Sequence, residues 1–190
     1  MPSPERSRLR VLQLIDSLHV GGAERVVLHL AQQLDRERFD VAVCCTKFLG
    51  ILAGEATGAG VPVFDISAGK GWRRYTVPWR LRNLIRQVRP HVVHSHGTPA
   101  MLDAGPAALA RQLPGWVHTF HYGNYPNLPP RTLKAERFFS TYVDRLVAVS
   151  RGGVGAWYAG IADRYLEIWD DMDPADFAQR NAARGAVKQY

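Results

Sequence analysis

The sequence predicts an α/β domain with an open, doubly wound and mainly parallel sheet of about seven strands. Short apolar segments alternate with longer amphipathic ones along the chain, as strands alternate with helices in this class. The apolar segments are continuous, which is typical of strands that are buried on both faces. With 190 residues, 46% of them hydrophobic, the chain can form one good core. We therefore expect one domain over residues 1–169 and a polar linker or tail over 170–190.

Seven segments have the length and composition of strands. The first, Leu9–Ile15, leads through two glycines into a helix with apolar residues at helical spacing. The other strands are predicted at Phe39–Thr46, Val61–Ile66, His91–His96, Gly115–His121, Asp144–Ser150 and Leu166–Trp169. Further helices are predicted near Trp79–Arg89, Pro99–Arg111 and Arg131–Tyr142, with a last one that begins near Arg151.

Charge and cysteine content limit the partners and the compartment. A formal net charge of +7 favours anions: nucleic acid, phosphorylated small molecules or an anionic membrane surface. The only cysteines, Cys44 and Cys45, are adjacent on a predicted strand and should point to opposite faces, so we expect no disulfide between them. The first ten residues lack the apolar run of a signal peptide, and no segment approaches the length of a membrane span. We expect a cytoplasmic protein, with peripheral attachment at the inner face of the membrane as an option.

Glycines and polar residues collect directly after the predicted strands. Gly21 and Gly22 follow the first strand, and His96 and His121 end the fourth and fifth, while Ser150–Arg151 come at the end of the sixth. Ligands of open parallel sheets bind at the carboxyl ends of the strands, so these residues should surround one crevice. The two glycines suit an anion site at a helix N-terminus, where backbone N–H groups are unpaired, and a turn without a ligand is the alternative.

Two other kinds of site fit this region poorly. The segment "HVGGAER" lacks the G-x-G-x-x-G spacing of dinucleotide-binding loops, and the second strand ends in "CCT" without an acidic residue for a ribose. His94 and His96 share one strand face, but no carboxylate or cysteine lies at ligand spacing beside them. We expect no metal and no cofactor. His94 is interpreted as a packed histidine, whereas His96 and His121 are the candidates for ligand contact.

The segment from Gly71 to Pro90 carries much of the positive charge. Its predicted helix has an apolar stripe and an opposite basic face, which is typical of a sheet-packing helix with a solvated surface. A surface for anionic lipid is the alternative, with Trp72, Tyr75 and Trp79 as interfacial anchors. The membrane-facing candidates are Arg73, Arg74, Arg82 and Arg86. Nucleic acid is not an expected partner, because no recognised reading module is present.

The segments "RVLQLIDSLHVGGAERVVLHLAQQL", "HVVHSHG", "VHTFHYGN" and "DRLVAVSRGGVGAWYAGI" resemble a known family in order and spacing. They are similar to the N-terminal domain of family-4 retaining glycosyltransferases of the GT-B fold, from Arg10 to about Phe177. The resemblance implies a Rossmann-like domain that binds the acceptor of a sugar transfer, either a sugar or a lipid-linked molecule. It also implies a second domain for the nucleotide-sugar donor, and no metal.

The resemblance implies roles for single residues as well. Gly21 and Gly22 match the loop that approaches the donor diphosphate. His121 matches the histidine near the transferred sugar, where it would act as a catalytic group that orients donor hydroxyls and stabilises developing charge. The residues expected on the acceptor side are His96, Asn124, Ser150 and Arg151.

Two departures from the family pattern leave the function open between alternatives. "WDDMD" stands where an asparagine–glycine turn commonly leads into the second domain, and the chain has the length of about half a two-domain enzyme, without the donor-binding domain. We expect the acceptor-side domain of a glycosyltransferase that is inactive alone. The alternatives are a non-catalytic single-domain binding module and one subunit of a split glycosyltransferase.

Overall fold

A computed structural model describes residues 8–69, 71–121 and 129–148. The strands are β1 (Leu9–Ser17), β2 (Phe39–Phe48), β3 (Val63–Asp65), β4 (Val92–His96), β5 (Gly115–Phe120) and β6 (Arg145–Ala148). The helices are α1 (Gly22–Gln33), α2 (Leu52–Gly58), α3 (Val77–Val88), α4 (Gly97–Leu109) and α5 (Pro130–Ser140), with a 3-10 helix at Gly71–Thr76. The predicted seventh strand, the last helix and residues 170–190 lie outside the described residues.

The described strands form one parallel sheet in the order β3-β2-β1-β4-β5-β6. The order reverses direction between β1 and β4, which is the switch point of a doubly wound sheet. The predicted fold class is therefore confirmed, with six strands in the described part of the chain instead of about seven.

Helices cover both faces of the sheet, and the sheet separates the hydrophobic core into two layers. On one face, α3 and α4 pack with Leu12 and Leu14 of β1, and on the other α1 and α2 pack with Ile15. Adjacent strand residues point to opposite faces, so Cys44 lies in the first layer and Cys45 in the second, as predicted. Both are free thiols, and burial raises the pKa of Cys45 to about 12.

Helix α2 is not predicted from the sequence. It has seven residues, and Gly54 and Gly58 lower its helix propensity. Its Leu52 and Ala56 are buried against the sheet, so tertiary packing stabilises a segment whose local signal is weak.

Candidate functional site

The strands' carboxyl ends place the glycine loop, His96 and His121 along one edge of the sheet. Gly22 begins α1 directly after the loop that follows β1, His96 ends β4, and His121 follows β5. Because β4 lies between β1 and β5 in the sheet, these positions border the switch-point crevice. Asn124, Ser150 and Arg151, which were predicted for the same crevice, lie outside the described residues.

Neither Gly21 nor Gly22 has the left-handed backbone conformation that would require a glycine. Gly21 is the N-cap of α1 in extended conformation (φ −172°), and Gly22 is its first helical residue. A β-carbon at Gly22 would meet no described atom within 4 Å, whereas one at Gly21 would meet the carboxylate of Glu24. Gly22 therefore has no backbone or packing reason among the described residues to be glycine, and a role in ligand binding stays a prediction.

The N-terminus of α1 is open on the Gly22 side. No side-chain hydrogen bond from the described residues caps it, so its first-turn N–H groups are available to an anion. The Glu24 side chain lies beside Gly21 and already places a negative charge near the positive end of the helix dipole. An anion therefore has free space at Gly22 and competes with Glu24 at Gly21.

The glycine loop is held by the loop that follows β2. The N–H of Leu18 donates to the carbonyl of Leu49 over 3.0 Å, and the N–H of Leu52 donates to the carbonyl of Leu18 over 2.9 Å. Gly50 lies between them with φ +73°, and a β-carbon there would overlap the Leu18 backbone. Sequence reasoning missed Gly50. A single glycine after a strand indicates a turn but not which backbone lies against it.

The histidines of β4 occupy the predicted face. His94 and His96 stack with ring centroids 4.1 Å apart, and Nε2 of His94 lies 2.8 Å from Oγ1 of Thr119 on β5. His94 is thus a packed histidine with a hydrogen-bond partner, as interpreted from the sequence.

A buried chain of polar groups runs from the sheet to His121. Nε2 of His96 lies 2.7 Å from Oε1 of Gln13, and Nδ1 of His96 lies 3.0 Å from Nε2 of His121. Gln13 and His96 are each 1% exposed, whereas His121 is partly exposed at the crevice. Both ring nitrogens of His96 are therefore used inside the protein, and its role in acceptor binding stays a prediction. Sequence reasoning missed Gln13, because a single glutamine in an apolar strand shows no sign of its partner.

Burial keeps these histidines neutral. It lowers the pKa of His94 to about 3 and that of His121 to about 4, from an ordinary value of 6.5, and it lowers the pKa of His96 well below that value. Nearby histidines add to the effect for His94 and His96, because each protonated ring would repel the next. At neutral pH each ring therefore carries one proton and one lone pair.

A second cluster of polar side chains, formed by Ser95, Trp116 and His118, lies on the opposite face of the same strands. Nε1 of Trp116 donates to Oγ of Ser95 over 2.8 Å, and that hydroxyl lies 2.8 Å from Nδ1 of His118. His118 is fully buried, and within the described ranges its Nε2 has no hydrogen-bond partner. His118 and His121 thus belong to opposite faces of the sheet.

In the part of the chain that the structure describes, no group of three or more histidine, cysteine or acidic side chains is arranged to hold a metal ion. Nε2 of His94 is instead paired with Thr119, and the two ring nitrogens of His96 are paired with Gln13 and His121.

The apolar stripe of the basic segment is buried as the sequence predicts, whereas Arg82, predicted on the solvated face, is partly buried. Leu81, Leu84 and Ile85 of α3 are buried in the core. Tyr75 and Trp79 are 72% and 62% exposed. Arg73 and Arg86 are exposed and Arg82 is partly buried, while the side chain of Arg74 is outside the described part. Over the described residues no helix has the length and apolarity to cross a bilayer.

Solved structures with this architecture include two with a bound nucleotide sugar. Anabaena HepE in complex with UDP-glucose is 16% identical, with 94% of this chain and 50% of that chain covered and a TM-score of 0.68. UDP-GlcNAc 2-epimerase from Neisseria meningitidis, bound to UDP-GlcNAc, is 16% identical, with 83% and 45% covered and a TM-score of 0.59. MurG of Acinetobacter baumannii is 15% identical, with 78% and 42% covered and a TM-score of 0.57. At these identities the likeness shows the fold.

The chain spans about half the length of these solved structures. No curated protein matches it in sequence. The family model of Glycosyltransferase Family 4 matches residues 20–156, a range that includes the glycine loop, His96 and His121. The chain therefore belongs to Glycosyltransferase Family 4 and has the fold of an N-terminal GT-B domain.

Proposed function

We propose that this domain is the acceptor side of a retaining glycosyltransferase, which moves a sugar from a nucleotide-sugar donor to an acceptor hydroxyl. The observation that carries the proposal is the position of His121. One of its ring nitrogens is bonded to buried His96, and the ring is partly exposed at the same sheet edge as the open N-terminus of α1. Solved relatives of this fold that bind UDP-glucose or UDP-GlcNAc support a nucleotide-sugar donor.

The N-terminus of α1 and the ring of His121 suit the diphosphate and the sugar, respectively, of a nucleotide-sugar donor. Backbone N–H groups at Gly22 would bind the diphosphate, since the helix N-terminus supplies donors and partial positive charge. The neutral ring of His121 would contact the transferred sugar and orient its hydroxyls. His96, Asn124, Ser150 and Arg151 are proposed for the acceptor side.

Retention follows if the acceptor attacks on the face from which the phosphate leaves. The bond between the anomeric carbon and the phosphate oxygen breaks as the new carbon–oxygen bond forms, and the departing phosphate takes the proton of the acceptor hydroxyl. The lone pair of a neutral imidazole beside the anomeric centre would favour the positive charge that develops there.

Transfer requires a donor-binding domain in addition to this one. The chain covers about half of the solved structures it matches, so we expect the 190-residue chain alone to be inactive, because most contacts that position the donor would be missing. Sustained turnover of a nucleotide sugar by the purified chain, lost in His121→Ala, would contradict this expectation.

A membrane surface is a second proposed partner, with the protein at the inner face of the membrane. The supporting observation is the exposure of Tyr75 and Trp79 beside Arg73 and Arg86. Aromatic rings favour the interface of a bilayer, and arginines attract anionic headgroups.

Diphosphate binding can be tested by amide NMR of the ¹⁵N-labelled chain, titrated with UDP and, separately, with inorganic pyrophosphate. We expect the amide signals of Gly21, Gly22 and Ala23 to shift with both. Gly22→Val should keep the fold, because a β-carbon at residue 22 has free space, and should weaken binding at least tenfold by blocking the approach of phosphate.

The matched control is Gly54→Val in α2. Gly54 is also a helical glycine whose β-carbon would meet no described atom within 4 Å, so it reports the general effect of valine in a helix. Unchanged affinity in Gly22→Val, or an equal loss in both variants, would show that the diphosphate does not bind at this helix N-terminus.

A further inference from the structure

We propose that Gln13 and His96 hold His121 in one tautomer, with its proton on Nε2, so that Nδ1 is a hydrogen-bond acceptor that selects a ligand hydroxyl. Gln13 and His96 are then positioning residues that act through His121. The tautomer follows from the contacts together with the orientation of the Gln13 amide, which presents its oxygen to His96, and the identity of the ligand as a sugar rests on the proposed function.

Gln13 determines which atoms donate and which accept in the hydrogen-bonded series Gln13–His96–His121. Its Oε1 is an amide oxygen, which only accepts hydrogen bonds, so Nε2 of His96, 2.7 Å away, must carry the proton and donate. Gln13 is buried in the middle of β1, where its backbone pairs with Val43 of β2 and with His94 of β4. Strands on both sides therefore hold this acceptor in place.

Because Nε2 of His96 donates to Gln13, Nδ1 of His96 accepts from His121. A neutral imidazole with its proton on Nε2 has a lone pair on Nδ1, so this nitrogen accepts. Nε2 of His121 lies 3.0 Å from it and must therefore donate. A second proton on His96 would reverse this, but burial strongly disfavours the charged ring, and the ring of His94 packs against it at 4.1 Å.

The second ring nitrogen of His121, Nδ1, is then an acceptor. With the proton on Nε2, its Nδ1 carries a lone pair, and no described residue donates a hydrogen bond to it. A hydroxyl can donate to this nitrogen, whereas a phosphate oxygen, itself an acceptor, cannot. Binding phosphate would require a second proton on a ring whose pKa is lowered to about 4.

The sheet edge thus offers two complementary chemistries. On its Gly22 side the N-terminus of α1 presents N–H donors, which suit a phosphate, and His121 presents an acceptor, which suits a hydroxyl. A ligand with a diphosphate at one end and hydroxyls at the other satisfies both in a single orientation.

The test is the ¹⁵N spectrum of the imidazole rings. The full chain is labelled with ¹⁵N-histidine, and long-range proton–nitrogen correlations are recorded at pH 7.5, with the His121 signals assigned by their loss in His121→Gln. We expect His121 of the wild type to show a protonated Nε2 and an unprotonated Nδ1.

Two substitutions of Gln13 test where the polarity comes from. Gln13→Glu keeps an acceptor as long as its carboxylate is ionised and His96 carries one proton, and the His96 signals in the same ¹⁵N spectrum report that state. With a singly protonated His96, the His121 spectrum should show the wild-type tautomer. Gln13→Met removes the acceptor at similar volume, so the two His121 tautomers should become mixed. Ser95→Ala is the matched control, because Ser95 is equally buried and adjacent to His96 but bonds to Trp116 and His118 on the other face. It should leave the His121 tautomer unchanged.

A proton on Nδ1 of His121 in the wild type would overturn the proposal, as would opposite tautomers in the wild type and in Gln13→Glu with a singly protonated His96. An unchanged tautomer in a folded Gln13→Met would remove Gln13 from the mechanism. If Gln13→Met does not fold, the wild-type spectrum still decides, because it shows directly which ring nitrogen of His121 carries the proton. None of these spectra depends on transfer or nucleotide binding, so a failure of the proposed function is seen separately in the diphosphate titration.

Discussion

Gly50 lies directly against the backbone of Leu18, so that a β-carbon at residue 50 would overlap the Leu18 carbonyl group. The contact joins the loop after β2 to the loop after β1, one residue before His19-Val20-Gly21. The position of the glycine loop therefore depends on a residue in a different unit of the chain.

Gly50→Ala should destabilise the protein strongly. The left-handed backbone at φ +73° costs a non-glycine residue about 1–2 kcal/mol, and the overlap with Leu18 forces the two loops apart in addition. Gly60→Ala is the matched control, since Gly60 has φ +75° but its β-carbon would meet no described atom within 4 Å. In urea titrations we expect the free energy of unfolding of Gly60→Ala to fall only by the backbone cost, and that of Gly50→Ala to fall by about 2 kcal/mol more. Equal losses would mean that the Leu18 contact is not important for stability.

The buried histidines should make stability sensitive to mild acid. Their folded-state pKa values are lowered, to about 3 for His94 and about 4 for His121, so below pH 6.5 the unfolded chain binds protons that the folded chain does not. Stability therefore falls as pH decreases below 6.5. Between pH 7.5 and 5.5 this costs about 1.4 kcal/mol for each such histidine, or roughly 3 kcal/mol for His94 and His121 together. Burial also lowers the pKa values of His96 and His118, which act in the same direction.

Urea unfolding at the two pH values measures this loss. His94→Gln should reduce it by about 1.4 kcal/mol, because one histidine no longer takes up a proton on unfolding. His29→Gln, at an exposed position on α1, should leave the loss as in the wild type. A wild-type protein equally stable at both pH values would show that these rings can be protonated in the folded state.

Membrane attachment through the segment Gly71–Arg89 should be weak and salt-sensitive. Each arginine near an anionic surface contributes about 1 kcal/mol, and no lipid anchor is proposed. We expect the chain to cosediment with phosphatidylglycerol vesicles at low salt and to dissociate from them at high salt. It should not cosediment with phosphatidylcholine vesicles. Replacing Arg73, Arg74, Arg82 and Arg86 by glutamine should abolish binding.

The control removes the same charge from another surface. Arg131, Lys134, Arg137 and Arg145 are all exposed on or after α5, and their replacement by glutamine should leave most of the binding. Equal losses in the two variants would indicate attraction by net charge alone, and no binding by the wild type at low salt would leave α3 as an ordinary solvated helix.

Much of the fold could be predicted because each element carries a local signal. The apolar run of β1 and the helical spacing of Leu81, Leu84 and Ile85 report burial directly, and the predicted parallel α/β class is confirmed. Helix α2 was missed because its glycines weaken the local signal and its stability comes from packing. For the candidate site, the sequence indicated the sheet edge and the faces of His94, His96 and His121, since strand periodicity determines which side chains share a face.

The sequence by itself determined the class of fold, the family and the residues that meet at the edge of the sheet, because each depends on patterns within short segments. Only the tertiary structure decided what those residues can do. Gln13 and His96 are 83 positions apart and bond only because the strand order places β4 beside β1. The same holds for Gly50 and Leu18, whose contact requires two loops to pack together. Hydrogen-bond polarity and close backbone approach depend on such distant neighbours, and local periodicity carries no information about them.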